Sequence, residues 1–129
     1  MKYLLITFSV LLPYSILFSQ SSMSPVKVSR LLNTMTTSTL LNKSEAEDLY
    51  QLNKCRLVVK DRYYAAPVGF TAKRDVKNAA KGIDEWVQLD NGNAFILTNY
   101  KWINFDGLST QLQLQFDTLI CDEDILQSS

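Results

Sequence analysis

The chain contains no histidine. That removes at once the commonest general base and the commonest metal ligand. An excess of either charge is also missing. Thirteen Lys and Arg balance 13 Asp and Glu, so bulk charge argues against a nucleic-acid partner. Cysteine is scarce, and Cys55 and Cys121 by themselves are too few for a metal site. EF-hand spacing, a nucleophile elbow, a phosphate-cradling glycine loop and a His-based triad are all absent. An enzyme built on this chain would have to use Asp, Glu, Lys or Tyr. The sequence brings no two of these together: Asp84 and Glu85 are adjacent and diverge on a helix, while Asp122, Glu123 and Asp124 sit in a tail. The chain therefore reads as non-catalytic, with no cofactor and no catalytic or metal-ligating residue assigned.

The N-terminus, "MKYLLITFSVLLPYSILFSQSS", has a basic residue at Lys2, an apolar run from Tyr3 to Phe18, and small residues at Ser19, Ser21 and Ser22. This is the layout of a secretory signal peptide, assigned to residues 1–21 with cleavage after Ser19 or Ser21. The run is shorter than the ~20 residues of a spanning helix, and a retained anchor is the other reading. No cysteine follows it to accept a bacterial lipoprotein's lipid, and no second long apolar run occurs. The expectation is export to the periplasm or the extracellular space, with no membrane span after processing. In that compartment an even cysteine count favours a Cys55–Cys121 disulfide, with free buried thiols as the alternative. Closing a loop of about 65 residues would add on the order of 3–4 kcal/mol.

Residues 22–43 are rich in Ser and Thr and read as an irregular segment docking onto a single α+β domain over 44–129. Ser44-Glu45-Ala46-Glu47 matches a capping box and opens a short helix over 44–52, with Leu49 and Leu52 turned inward. Cys55 to Ala72 is rich in β-branched and aromatic residues and reads as a first strand. Pro67 confines it to an edge or a bulge. Val76, Ala79, Ala80, Ile83 and Val87 then follow helical spacing, capped by Thr71 or Asp75. Gly82 inside that helix marks either surface tolerance or close approach to the sheet. Asn91-Gly92 ends it, with Gly92 expected in the left-handed position.

The next strand, "AFILTNYKWINF", is apolar on both sides. Simple alternation puts Ala94, Ile96, Tyr100 and Trp102 on one face and Phe95, Leu97, Ile103 and Phe105 on the other. A turn at "DGLS" leads to "TQLQLQFDTLI", where Leu112, Leu114 and Phe116 face inward and Gln111, Gln113, Gln115 and Asp117 outward. "CDEDILQSS" reads as a frayed acidic tail.

Strand, helix, strand, strand in that order predicts a βαββ three-stranded sheet, order 1-3-2, with one helix packed on one face and a short N-terminal helix. This order sets the start of the first strand beside the end of the third, where Cys55 and Cys121 lie. A conflict of side-chain parity between the two cysteines calls for a bulge or a strand-end twist.

"GFTAKRDVKNAAKGIDEW" followed by "NGNAFILTNY" resembles small bacterial envelope proteins with a βαββ core, of the Rcs outer-membrane stress-sensor lipoprotein kind. The likeness rests on Gly69, on Lys77-Asn78-Ala79-Ala80 and on Gly92-Asn93-Ala94-Phe95-Ile96, and covers roughly residues 55–121. Dodecin-like proteins share the topology. The resemblance implies an envelope location and the sheet order, and carries over no functional residue. The lipid-bearing cysteine of those lipoproteins is missing here.

Three surfaces are candidates for contact. Tyr63, Tyr64, Trp86, Tyr100 and Trp102 would form a stacking surface for a glycan or peptide if exposed, and core packing is the alternative. Lys73, Lys77 and Lys81 recur every four residues as a stripe that could meet an anionic polymer or headgroup, or simply a solvated face. With one helix on one face, Phe95, Leu97, Ile103 and Phe105 would face water as an interaction patch. Its cover is the 22–52 segment with Leu31, Leu32, Leu40, Leu41 and Leu49, a second copy forming a homodimer, or a partner. The expected function is an exported binding protein contacting an envelope protein or glycan through Trp86, Tyr100, Trp102, Phe95 and Phe105. The alternative is a carbohydrate or peptidoglycan-fragment binder using Trp86, Tyr100 and Trp102.

Overall fold

Ser24-Pro25 opens the first helix, α1 (Pro25–Met35). The Ser24 side chain accepts the Lys27 N–H, and proline occupies a first-turn position where its missing amide costs nothing. The segment read as irregular is therefore helical, and Val28 and Leu32 on one face of α1 are fully buried. The computed structural model describes residues 23–105 and 109–127. The signal-peptide reading of residues 1–21 and residues 106–108 of the "DGLS" turn lie outside the described residues.

Beyond α1 come β1 (Thr39–Leu40), α2 (Lys43–Gln51), β2 (Cys55–Ala65), α3 (Ala72–Leu89), β3 (Ala94–Phe105), β4 (Ser109–Cys121) and a short α4 (Glu123–Gln127). The class is α+β, but the sheet has four strands in the order β1-β3-β4-β2 rather than three. The extra strand is β1, parallel to β3 through Thr39↔Ala94 and Leu40↔Phe95. It escaped the sequence reading because two residues carry no alternation to detect.

Helices lie on both faces, not one. α1 and α3 cover the first face, where Val28, Leu32, Val76, Ile83, Val87, Phe95, Leu112, Leu114 and Phe116 form the main core. Phe95 and Phe116 meet edge to face at 6.2 Å between ring centroids, a favoured aromatic geometry. On the second face α2 stands over the disulfide end, burying Leu41, Ala46, Cys55, Ala94, Ile96, Leu119 and Cys121, with Leu126 of α4 packed alongside. The acidic tail thus holds a docked helix. Segment 22–52 covers both faces: Leu31, Leu32 and Leu40 join the main core, Leu41 and Leu49 the second cluster.

Three register slips decide which side chain faces where. In β3 the ladder slips between Leu97, opposite Phe116, and Asn99, opposite Gln115. The bulged residue reverses the parity, so Phe95 and Leu97 share the main-core face with Tyr100 and Trp102. This corrects the face assignment expected from simple alternation, while the strand stays apolar on both sides, with Ala94 and Ile96 in the second cluster. In β2 the slip between Leu57 and Val59 puts Cys55 opposite Cys121 and Leu57 opposite Leu119, on the α2 face, while Val59 crosses to Thr118. The two cysteines, 4.0 Å apart at Cα, form the expected disulfide, and the bulge resolves their parity conflict.

Local chemistry differs from expectation at two caps. The capping box of α2 is Asn42 and Glu45, two residues before the Ser44 reading: the Glu45 N–H donates to Asn42 Oδ1 at 2.7 Å and the Asn42 N–H to Glu45 Oε1 at 3.1 Å. Leu52, expected inside, is 66% exposed at the helix end. At the end of α3 the left-handed residue is Asn91 (φ 58°), not Gly92. Gly92 N–H then donates to the Val87 carbonyl at 2.8 Å and Asn91 N–H to that of Gln88 at 3.0 Å, a Schellman closure. Glycine is still required at 92, since a Cβ there would sit 2.6 Å from the Leu119 carbonyl oxygen.

Candidate functional site

The second slip in β2, between Val59 and Arg62, and the slip in β3 lie on either side of the same stretch of the central strand β4. Asp117 of β4 pairs with Ile96 just before the β3 slip. Across β4, Asp61 adopts φ 58°, a left-handed conformation that aspartate tolerates. Its amide, turned out of the ladder, donates to Asp117 Oδ1 at 2.9 Å. The two irregularities thus flank a half-buried carboxylate on both sides.

α2 forms the wall of the space beside it, a cleft of about 420 Å³. Lys43, Glu47 and Tyr50 line it from the helix, Lys60, Asp61 and Asp117 from the bulged sheet, and Leu57, Ile96 and Leu97 supply apolar surface. Leu57 is 42% exposed, an uncovered aliphatic side chain within a cleft of ligand-binding size. Burial pushes the Tyr50 phenol up from its ordinary range, and the negative fields of Asp117 and Glu47 push it the same way. Tyr50 therefore stays protonated at neutral pH and serves as a hydrogen-bond donor. A phenolic base or nucleophile would need the opposite shift. Among the described residues no group of three or more His, Cys, Asp or Glu is placed to hold a metal ion.

The same face continues past α2 as an open shelf. Tyr63, opposite Gln115, is 55% exposed. With Asn99, Lys101, Gln113 and Gln115 it borders a shallow hollow of about 160 Å³. Ile103, opposite Gln111, lies half-buried on this shelf rather than with Phe95 and Leu97.

The five contact residues named from sequence lie elsewhere. Phe95 is fully buried in the main core, which removes it as a contact residue. Tyr100 and Trp102 are half-buried against that core opposite Leu114 and Leu112. Trp86 is half-buried too, with the Arg62 guanidinium stacked 4.2 Å above its ring. Phe105 ends β3 opposite Ser109. Phe95, Tyr100, Trp102 and Trp86 do not line the cleft, and the structure does not gather these four into one exposed surface. Tyr50, Asp117, Leu57 and Lys60 were passed over in the sequence. The one signal for them was Asp117, the carboxylate that interrupts the Gln series along β4. Comparisons with protein-family models, curated proteins and solved structures give no match.

Proposed function

We propose that this is a small exported protein of the cell envelope or extracellular space that acts by binding, and that the cleft between α2 and the bulged sheet is its binding site. The observation that carries the reading is Leu57, left uncovered beside Ile96 in a cleft whose rim holds both signs of charge. Three carboxylates, Glu47, Asp61 and Asp117, outweigh Lys43 and Lys60. The ligand class that fits is a small amphipathic molecule with a primary amine, a carboxylate and an apolar group, such as an amino acid or short peptide. Export is supported by the N-terminal run and by the Cys55–Cys121 bond, which persists in oxidising compartments. The likeness to envelope βαββ proteins agrees with it.

A thermal-shift screen with free amino acids and dipeptides tests this. A saturable rise in unfolding temperature is expected, lost in Asp117→Asn and Leu57→Ser. A response that both variants retain would place binding elsewhere.

Tyr63 supports a second reading, a carbohydrate or peptidoglycan-fragment binder. Its exposed ring among Asn99, Gln113 and Gln115 offers a stacking surface flanked by amides. Trp86, Tyr100 and Trp102, on which that reading first rested, are engaged in packing. Titration with a muramyl dipeptide and a chitooligosaccharide against Tyr63→Ala separates the two readings: loss of sugar binding in that variant favours the shelf.

A further inference from the structure

Features unfavourable to folding coincide at the N-terminal end of α3, at the end of the sheet remote from the disulfide. Phe70 adopts φ 67°, a left-handed conformation sterically poor for a bulky side chain. Its ring is 74% exposed, so little packing offsets the strain. It precedes the N-cap Thr71, the place from which an apolar residue ordinarily staples onto the fourth helical residue. Here that residue is the buried Asp75, which accepts the Gly69 N–H at 2.7 Å and the Thr110 hydroxyl. Lys73 and Arg74 then put two exposed cations in the first helical turn, against the preference of the helix dipole, and the one acid of that turn, Asp75, is buried and turned to Gly69 and Thr110. Lys77 follows one turn on, and all three are exposed. The ion pairs among the described residues, Lys54–Asp122 and Arg62–Asp90, use none of them.

The loop is nevertheless held firmly. A Cβ on Gly69 would lie 2.7 Å from the carbonyl carbon of Arg74, and Asn78 Nδ2 donates to the Pro67 carbonyl at 3.0 Å. A fixed backbone therefore holds an apolar ring out into solvent beside unpaired positive charge. Strain, exposure and cations outside any ion pair among the described residues coincide at one place with no gain to the fold, which points to a surface shaped for binding.

We propose that this tip is a docking surface for an anionic phospholipid bilayer, with Phe70 entering the headgroup–acyl boundary and Lys73, Arg74 and Lys77 meeting the lipid phosphates. The charge complementarity is direct, and the geometry favours a bilayer over a protein pocket. A protein hot spot sits inside a packed patch ringed by further contacts, whereas Phe70 stands alone on a loop with cations beside it. One aromatic and a few charges give reversible attachment. This surface is separate from the cleft of α2 and does not rest on ligand binding there.

The test is co-sedimentation of the processed chain, without residues 1–21, with vesicles of phosphatidylcholine and with vesicles of equal parts phosphatidylcholine and phosphatidylglycerol. The chain should sediment with the anionic vesicles alone and be released at about 1 M salt, where the Debye length falls to ~3 Å. Phe70→Gly should lower the partition coefficient by about tenfold or more. The same variant should raise the unfolding temperature, because glycine relieves the left-handed strain. Lys73→Gln and Lys77→Gln should each cost roughly fivefold. Tighter folding with weaker binding is a combination that a merely structural role for Phe70 would not produce. Equal sedimentation with both vesicle types, or variants that partition as the wild type does, would overturn the proposal. Sedimentation with neither would also overturn it and turn the surface over to a protein partner.

Discussion

The ring of Tyr64 lies in the notch left by Gly82, where a Cβ would run into its Cε2 and Cζ atoms. Both residues are at the α3–sheet contact, Gly82 buried and Tyr64 packed against the main core. Of the two sequence readings of this glycine, close approach is the one that holds. Gly82→Ala improves intrinsic helix propensity by about 1 kcal/mol. The displaced ring should reverse that gain, for a net loss of about 1–3 kcal/mol in urea melts. Pairing it with Tyr64→Ala should recover part of the loss, because the second change empties the notch. Additive losses would show that the ring and the glycine do not constrain each other.

Cys55 and Cys121 join the outer strand β2 to the end of the central strand β4 across a sequence separation of 66. A loop of that length should stabilise the fold by about 3–4 kcal/mol through the unfolded state. Cys55→Ser is expected to lower the melting temperature markedly, and adding a reductant to the wild type should do the same. Coincident melts under reducing and non-reducing conditions would rule out this contribution.

The parts legible in the sequence were those with a long, uninterrupted period. Val76, Ala79, Ala80, Ile83 and Val87 are all buried in α3, and Leu112, Leu114 and Phe116 are all buried in β4, as their spacing implied. α1 was missed because Ser and Thr masked its pattern, although Ser24-Pro25 and the spacing of Val28, Leu32 and Met35 were there to be weighed. β3 was misread because an alternation rule cannot locate a bulge. One unpaired residue between Leu97 and Asn99 split the apparent water-facing patch, leaving Phe95 and Leu97 in the main core and Ile103 on the opposite face. The cleft was illegible for a related reason. Its residues come from α2, a β2 bulge and β4, and each of its charged groups, read singly, is an ordinary solvated side chain. Only the fold brings Tyr50 within the field of Asp117.

Asp90, at the C-cap of α3, predicts an acid dependence. It takes a forked contact from the Arg62 Nε and terminal amine, the Nε donating to Oδ2 at 3.1 Å, and it accepts the Thr118 hydroxyl at 2.9 Å. Hydrogen bonding from Arg62, reinforced by Thr118, holds its carboxyl below the ordinary 3.8 despite the opposing effect of burial. A depressed folded-state value means the stabilisation is complete above the unfolded pKa and is lost as pH falls below about 4, through the folded value. Unfolding free energy measured in urea at stepped pH should therefore drop over that acid window. Asp90→Asn should be less stable at neutral pH by about 1–3 kcal/mol and show a shallower acid slope. An unchanged slope would assign the acid response to other carboxylates.

Asp84 of α3 holds the N-terminal part of the fold in place. Its Oδ2 accepts the Thr37 N–H at 2.8 Å, and its Oδ1 accepts the Ser38 N–H at 3.0 Å together with the Ser38 hydroxyl. These bonds fix the link between α1 and β1, and β1 is then tied to β3 by Thr39 N–H to the Asn93 carbonyl at 3.1 Å and Leu41 N–H to that of Phe95 at 2.9 Å. Removing a charged acceptor of this kind costs about 1–3 kcal/mol. Asp84→Ala should therefore lower amide protection at Thr39 and Leu41 in native-state hydrogen exchange, while the central β4 amides keep theirs, because regions open in separable units. A parallel loss in β4 would instead mean that α1 and the sheet open as one, through the shared burial of Val28 and Leu32. Unchanged exchange at Thr39 and Leu41 would mean that this apolar seat holds the segment without the carboxylate.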